Sequence, residues 1–224
     1  MTRVALIPAR GGSKGIYRKN IKLFNSKPLI YWTIKAAQES SLIDRIIVST
    51  EDEEIASIAK SYSAEVPFIR PKELALDNSP GIDPVIHALE TLPNIDELLL
   101  LQPTSPLRRS IDIDNIIQMR SEYNSESAVS ISLSQKHINL FFKLNSDSQI
   151  EPISCNFKES PRQKYSKMYT LNGALYLSTK KSILKNKSLF SPSTIGYVMP
   201  EEYSIDIDTN LDWEIAEFLM NKLL

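Results

Sequence analysis

Residues 4–9, VALIPA, are apolar or small throughout and run without interruption into IPARGGSKGIYRKN, residues 7–20. An apolar run of this kind reads as a strand buried on both faces, as in a parallel sheet covered by helices. Its carboxyl end then lies where open α/β sheets hold their ligands. In the loop that follows, Arg10, Lys14, Arg18 and Lys19 are interleaved with Gly11, Gly12, Ser13 and Gly15. Glycines let backbone N–H groups approach an anion, and the spaced cations neutralise charge that amides alone would offset only in part. The loop therefore reads as a phosphate-holding device. It contains neither GxxxxGK followed by Ser or Thr nor GxGxxG, which excludes the two most familiar phosphate loops.

The rest of the chain repeats the alternation of strand and helix. Apolar, β-branched-rich runs predict strands over residues 44–50, 66–69, 97–101, 127–133, 171–177, 195–198 and 204–208. Helical spacing predicts helices opening at Pro28 and over residues 52–62, 82–92 and 111–123. A last helix is expected after Thr209, with Leu211, Ile215, Phe218 and Leu219 as its apolar face. The fold class expected is α/β: a mixed, mainly parallel sheet flanked by helices, forming one domain over residues 1–224. Residues 134–168 break the pattern with polar, poorly periodic sequence, too long for a structureless loop inside a compact domain. They are expected to form a small inserted excursion with strands of its own. Its apolar residues, including Ile138, Leu140, Phe141 and Phe142, need a partner; a dimerisation arm is the reading, with a lid over the site as the competing one.

Composition narrows the function classes. With 26 Lys and Arg against 27 Asp and Glu, the chain has no basic field for a nucleic acid or an anionic membrane, so the basic loop is a local device. A single cysteine, Cys155, excludes a disulfide framework within the chain, and two histidines, His87 and His137, leave little material for a triad or a histidine metal site. No apolar run approaches the roughly 18 residues of a membrane span, and a cytoplasmic location is expected.

Several polar residues fall where strands end. Asp206 and Asp208, two apart in an expected strand, would share one face while Ile205 and Ile207 turn into the core. Such a pair suits magnesium, which takes one or two protein carboxylates and completes its shell with phosphates and waters. Gln102 in QPTSPLR and Asn172 and Tyr176 in NGALY sit at or near strand ends and read as opposite walls of a polar pocket. Gly173 allows close backbone approach there. In PRQ, the guanidinium fork of Arg162 fits a carboxylate.

Taken together, IPARGGSKG with KN five residues on, RPKELALD, LQPTSPLR, PRQ, NGALY and SIDID resemble the acylneuraminate cytidylyltransferases over nearly the whole chain and in the same order. The resemblance implies a GT-A-like, Rossmann-like nucleotidyltransferase fold, a homodimer, Mg2+ as cofactor, and transfer of CMP from CTP to an acidic nine-carbon sugar with release of pyrophosphate. By motif, Arg10, Gly11, Gly12, Ser13, Lys14, Lys19, Asn20, Arg70 and Asp77 would hold the nucleotide. Gln102, Arg162, Asn172 and Tyr176 would contact the sugar, Arg162 from the neighbouring subunit's arm. Asp206 and Asp208 would hold the metal, and Arg10, Lys19 and Asp208 would act in catalysis, with either Asp208 or water taking the proton. Legionaminate, pseudaminate and octulosonate remain open as acceptors. A GT-A glycosyltransferase would share the DxD pair but has no need of the basic loop.

Overall fold

The structure is a computed structural model and describes residues 1–13, 15–154 and 165–223. Its centre is a six-stranded sheet. The strands in chain order are β1 (Arg3–Pro8), β4 (Arg45–Ser49), β5 (Glu97–Leu100), β6 (Ser127–Leu133), β9 (Tyr169–Thr179) and β10 (Ile195–Val198). They lie side by side as β10-β6-β9-β5-β1-β4. Strands β4, β1 and β5 run parallel, as do β6 and β10, while β9 runs antiparallel to both of its neighbours. The expected mixed, mainly parallel α/β sheet is what the chain forms. Two small hairpins stand apart: β2 (Leu23–Phe24) with β3 (Lys27–Pro28), and β7 (Phe142–Leu144) with β8 (Ile150–Pro152).

Side-chain alternation in β1 and β5 explains how both sheet faces are covered. Ala5, Ile7 and Leu99 pack on Ile30, Ile34, Ile113 and Ile117, which belong to α1 (Leu29–Gln38) and α4 (Ser110–Glu122); α2 (Glu53–Ser61) adds Ile55 and Ala59 on this face. Val4, Leu6, Leu98 and Leu100 face the other way, against Val85 and Leu89 of α3 (Asp83–Thr91) and Ile183 of α5 (Lys180–Asn186). Each fully buried residue of this size contributes about 1.5–3 kcal/mol. This two-sided burial is why both strands read as unbroken apolar runs. The start of β5 is held differently: Glu97, fully buried, pairs with Arg3 at 2.8 Å and with Arg120 of α4.

Three expectations are corrected. Residues 66–69 form no strand; only Glu65 bridges to Ile47, because Pro67 within the segment and Pro71 just beyond it remove ladder donors. Residues 204–208 belong to no ladder and are tied to the body by Ile207 N donating to Thr104 O at 2.8 Å. The last helix, α6 (Asn210–Leu223), buries Trp213, Ala216 and Met220 against Phe24 and Leu29 and leaves Leu211, Ile215 and Phe218 exposed. Thr209 does cap α6: its Oγ1 accepts from Asp212 N while Asp212 Oδ2 accepts from Thr209 N at 2.7 Å. Helix α5 has no counterpart in the sequence reading.

Between β6 and β9 the chain leaves the sheet, and β7 and β8 pair there as a hairpin. The apolar residues Ile138, Leu140, Phe141, Leu144, Ile150 and Ile153 of this excursion are exposed. No helix among the described residues is long and apolar enough to cross a membrane.

Candidate active site

Because β1 and β5 are parallel neighbours, their carboxyl ends release the glycine-bearing loop and Gln102 side by side. Strand β9 arrives from the opposite direction, with Tyr176 opposite Leu100, so its earlier residues Asn172 and Gly173 reach the same edge. Two cavities open there. One of about 300 Å³ is lined by Arg10, Gly12, Ser13, Lys19, Gln102 and Asp208, among others. The other, of about 350 Å³, is lined by Leu74, Asp77, Ser79, Pro80, Gly81 and Pro84, and shares Pro8, Arg10 and Gln102 with the first. The first presents cations, the second a more apolar wall. A third cavity, of about 200 Å³ between α1, α4 and α6, touches neither, and its Arg109 is paired with Asp112.

Three contacts hold the loop's functional groups. Arg10 reaches Asp77 at 2.8 Å, linking the loop to the segment that walls the second cavity. Asn20 Nδ2 donates to Arg10 O at 2.9 Å and so fixes the backbone that carries the guanidinium. Lys19 Nζ donates to Ile207 O at 2.6 Å and lies 3.2 Å from Asp208 Oδ1, while Gly15 packs directly on the Asp208 backbone. The loop and the 206–208 segment are thus one surface.

Asp206 is half-buried beside this surface. Its Oδ1 is buried and has no hydrogen-bond partner among the described residues. Burial pushes its carboxyl above the ordinary carboxylate range; a hydrogen bond from Thr104 works against this, and the Asp208 charge adds to the rise. Gly173, at φ +74°, makes the approach possible, since a Cβ there would stand 2.8 Å from Asp206 Oδ2 and 2.9 Å from Gln102 Oε1. Among the described residues no group of three or more His, Cys, Asp or Glu could hold a metal. A cation here would therefore take few protein oxygens and fill its shell from water and phosphate, which is how magnesium binds. The unpartnered Oδ1 of Asp206 fits that role.

The sequence pattern of the cytidylyltransferases matches residues 4–220. The chain belongs to the cytidylyltransferase family. It is 38% identical over 98% of its length to the CMP-N,N'-diacetyllegionaminic acid synthase of Legionella pneumophila, covering 97% of that protein. It is 33% identical to the N-acylneuraminate cytidylyltransferase of Escherichia coli, of which it spans 52%, about half the length. The pseudaminic acid cytidylyltransferase of Campylobacter jejuni is 34% identical, with 96% covered. In three dimensions the chain is similar to a CMP:2-keto-3-deoxy-manno-octonic acid synthetase complexed with CTP, with a TM-score of 0.74 at 16% identity and full coverage of both chains. That likeness concerns the fold.

In this member of the family the residues singled out in the sequence do not all line the cavities. Arg10, Gly12, Ser13, Lys19, Asn20, Gln102 and Asp208 line the cationic one, and Asp77 the other. Arg70 is buried and paired with Glu51 at 2.8 Å, and Gly11 gives its N–H to the same carboxylate. Asn172 faces inward: its Oδ1 accepts from Ser130 Oγ at 2.6 Å and its Nδ2 donates to Ser204 Oγ at 3.0 Å. It holds the irregular register of β9 on β6 and anchors the segment leading to Asp206. Tyr176 packs edge-on against Phe190 at 6.2 Å and lines neither cavity. Lys14 and Arg162 lie outside the described residues.

The sequence reading passed over Arg108 and Thr104. Arg108, 3% exposed, donates from Nε to Ala174 O, from Nη1 to Thr33 Oγ1 and from Nη2 to Gln102 O, tying β9, α1 and the end of β5 together. Burial pushes its guanidinium down to about 9. Thr104 holds the acidic segment through its carbonyl, which accepts from Ile207 N. Both lie in QPTSPLR, so the motif itself was the available signal.

Proposed function

We propose that this chain transfers CMP from CTP to the anomeric hydroxyl of an acidic nine-carbon sugar, N-acylneuraminate or a close relative, releasing pyrophosphate. The observation that carries this reading is the convergence of Arg10, Lys19, Gln102 and Asp208 on one cavity that opens into a less polar one beyond Arg10. The triphosphate lies against Arg10, Ser13 and Lys19, and the nucleoside lies along residues 74–84. The sugar hydroxyl attacks the α-phosphate in line, and the negative charge that grows on the phosphate oxygens is met by the guanidinium of Arg10 and the ammonium of Lys19. Asp206 and Asp208 would hold Mg2+, which supplies Lewis-acid stabilisation of that same charge. Gln102 orients the acceptor with its side-chain amide, while Asn172, Thr104 and Arg108 hold the wall in place. The acceptor's proton leaves to Asp208 or to solvent.

A legionaminate acceptor is the second reading, favoured by the 38% identity and matched length of the Legionella relative against 33% identity and half the length for the E. coli one. Pyrophosphate release from CTP and Mg2+ with a panel of keto-acid sugars tests both. Release is expected with a nine-carbon acid and is expected to stop on chelation of the metal. No release with any acid, together with consumption of a CMP-sugar donor, would replace this reading with glycosyl transfer.

The homodimer is proposed from the exposed apolar residues of the β7–β8 hairpin. Leu144→Asp, at a position 71% exposed, is expected to convert a dimer to a monomer in sedimentation without a fall in melting temperature. A monomeric wild-type chain would end the proposal.

A further inference from the structure

The phosphate loop is gripped from behind by two adjacent acids at the end of β4. Glu51 Oε1 accepts from Gly11 N at 2.7 Å, and Oε2 of the same carboxylate accepts from Arg70 Nη2 at 2.8 Å. Asp52 binds Arg18, at the far end of the loop, through both oxygens at 2.9 and 3.1 Å, and also caps α2 by accepting from Glu54 N and Ile55 N. These contacts lie off the cationic cavity: Gly11, Arg18, Glu51 and Asp52 line a recess that meets it at Gly12, and none of the four lines the cavity that holds Arg10 and Lys19. Glu51 therefore does not compete with an anion. Its second partner, Arg70, is 3% exposed and begins the segment that runs through residues 74–81, the wall of the second cavity. Arg70 is itself registered on β4, donating its backbone N–H to Thr50 O at 2.9 Å.

We propose that Glu51 is a positioning residue that fixes the phosphate loop and the nucleoside wall to each other, so that CTP meets a site whose two halves are already in register. The inference rests on the CTP-dependent reading above for its consequence, though not for the contact itself. A carboxylate fits the task because it offers one oxygen to a neutral N–H and the other to a guanidinium, a charge-assisted pair in a half-dry setting. Without it, Gly11 and Arg70 lose their common anchor, and the loop must be ordered when the nucleotide binds. That cost falls on CTP affinity rather than on the chemical step.

The test uses Glu51→Ala and Glu51→Gln in the full chain. In the ligand-free protein, amide exchange at Gly11 is expected to quicken in Glu51→Ala and to stay near wild type in Glu51→Gln, which keeps an acceptor. KM and calorimetric Kd for CTP are expected to rise about tenfold in Glu51→Ala, short of the roughly hundredfold cost of a full 1 Å misplacement, with kcat and the KM for sugar nearly unchanged. Glu51→Gln, which keeps an acceptor for Gly11 but turns an NH2 donor toward Arg70 and loses the charge, is expected to fall between. A lowered melting temperature with unchanged CTP constants would make Glu51 a purely structural residue and overturn the proposal. Should Glu51→Ala not fold, Glu51→Gln carries the same comparison of CTP constants. If the wild-type chain neither binds CTP nor releases pyrophosphate, the functional reading fails; exchange at Gly11 then still decides the brace, which unchanged exchange in Glu51→Ala would overturn.

Discussion

Arg10→Ala is expected to lower kcat by about 100- to 1000-fold while leaving the melting temperature and the sheet intact, the scale seen when one preorganised charge-stabilising group is removed. Arg10 is partly exposed and pairs with Asp77, which is also partly exposed, so little folding free energy depends on that ion pair. Its position decides its importance: it lines both cavities, at the point where the triphosphate would turn into the nucleoside. Arg10→Lys keeps the charge but loses the planar fork, and is expected to recover only part of the rate. Steady-state rates of pyrophosphate release across the three proteins check this. Turnover of Arg10→Ala near wild type would remove the residue from the mechanism.

The second large effect is expected at Gly173. Gly173→Ala would place a Cβ 2.8 Å from Asp206 Oδ2 and 2.9 Å from Gln102 Oε1, on a backbone at φ +74°. The left-handed conformation alone costs about 1–2 kcal/mol for an L-residue. The larger consequence is displacement of the Asp206 carboxylate and the Gln102 amide, the side-chain ends that a Cβ would meet. A shift on the order of 1 Å at such groups lowers activity by about a hundredfold. Urea denaturation and pyrophosphate release should therefore diverge, with a modest loss of stability and a severe loss of rate. A proportional fall in both would mean that Gly173 serves the sheet and not the site.

Much of this was legible because it obeys local rules. Residues 4–9 are buried on both faces, so their apolar run has no polar position to mislead the reading. The cations of the loop follow directly and sit at a strand end, where open α/β sheets hold their ligands. Where two local readings were equally good, the sequence misled. On α6, Leu211, Ile215 and Phe218 make as regular a stripe as Trp213, Ala216 and Met220, and contact with Phe24 and Leu29 buries the second. At residues 204–208 only Ile207 buried beside exposed Asp208 follows the expected alternation, Ile205 and Asp206 being alike half-buried, and no neighbouring strand pairs with the segment.

Asn172 and Glu51 mark the limit of reading polar residues one at a time. An amide beside a glycine at a strand end looks like a ligand contact, and an acid after a strand looks like a helix start. Their partners, Ser130 and Ser204 for one and Gly11 and Arg70 for the other, are between 19 and 42 residues away.

The sequence by itself determined the layered sheet, the basic glycine-bearing loop at a strand end and the family, because strand periodicity, loop composition and motif order can be read along the chain. The tertiary structure alone decided which polar groups face the cavities and which face each other. The antiparallel course of β9 brings Gly173 to Gln102 and Asp206, and the end of β4 sets Glu51 behind Gly11. Both follow from strand order and direction, which arise when distant segments compete for the same buried edges.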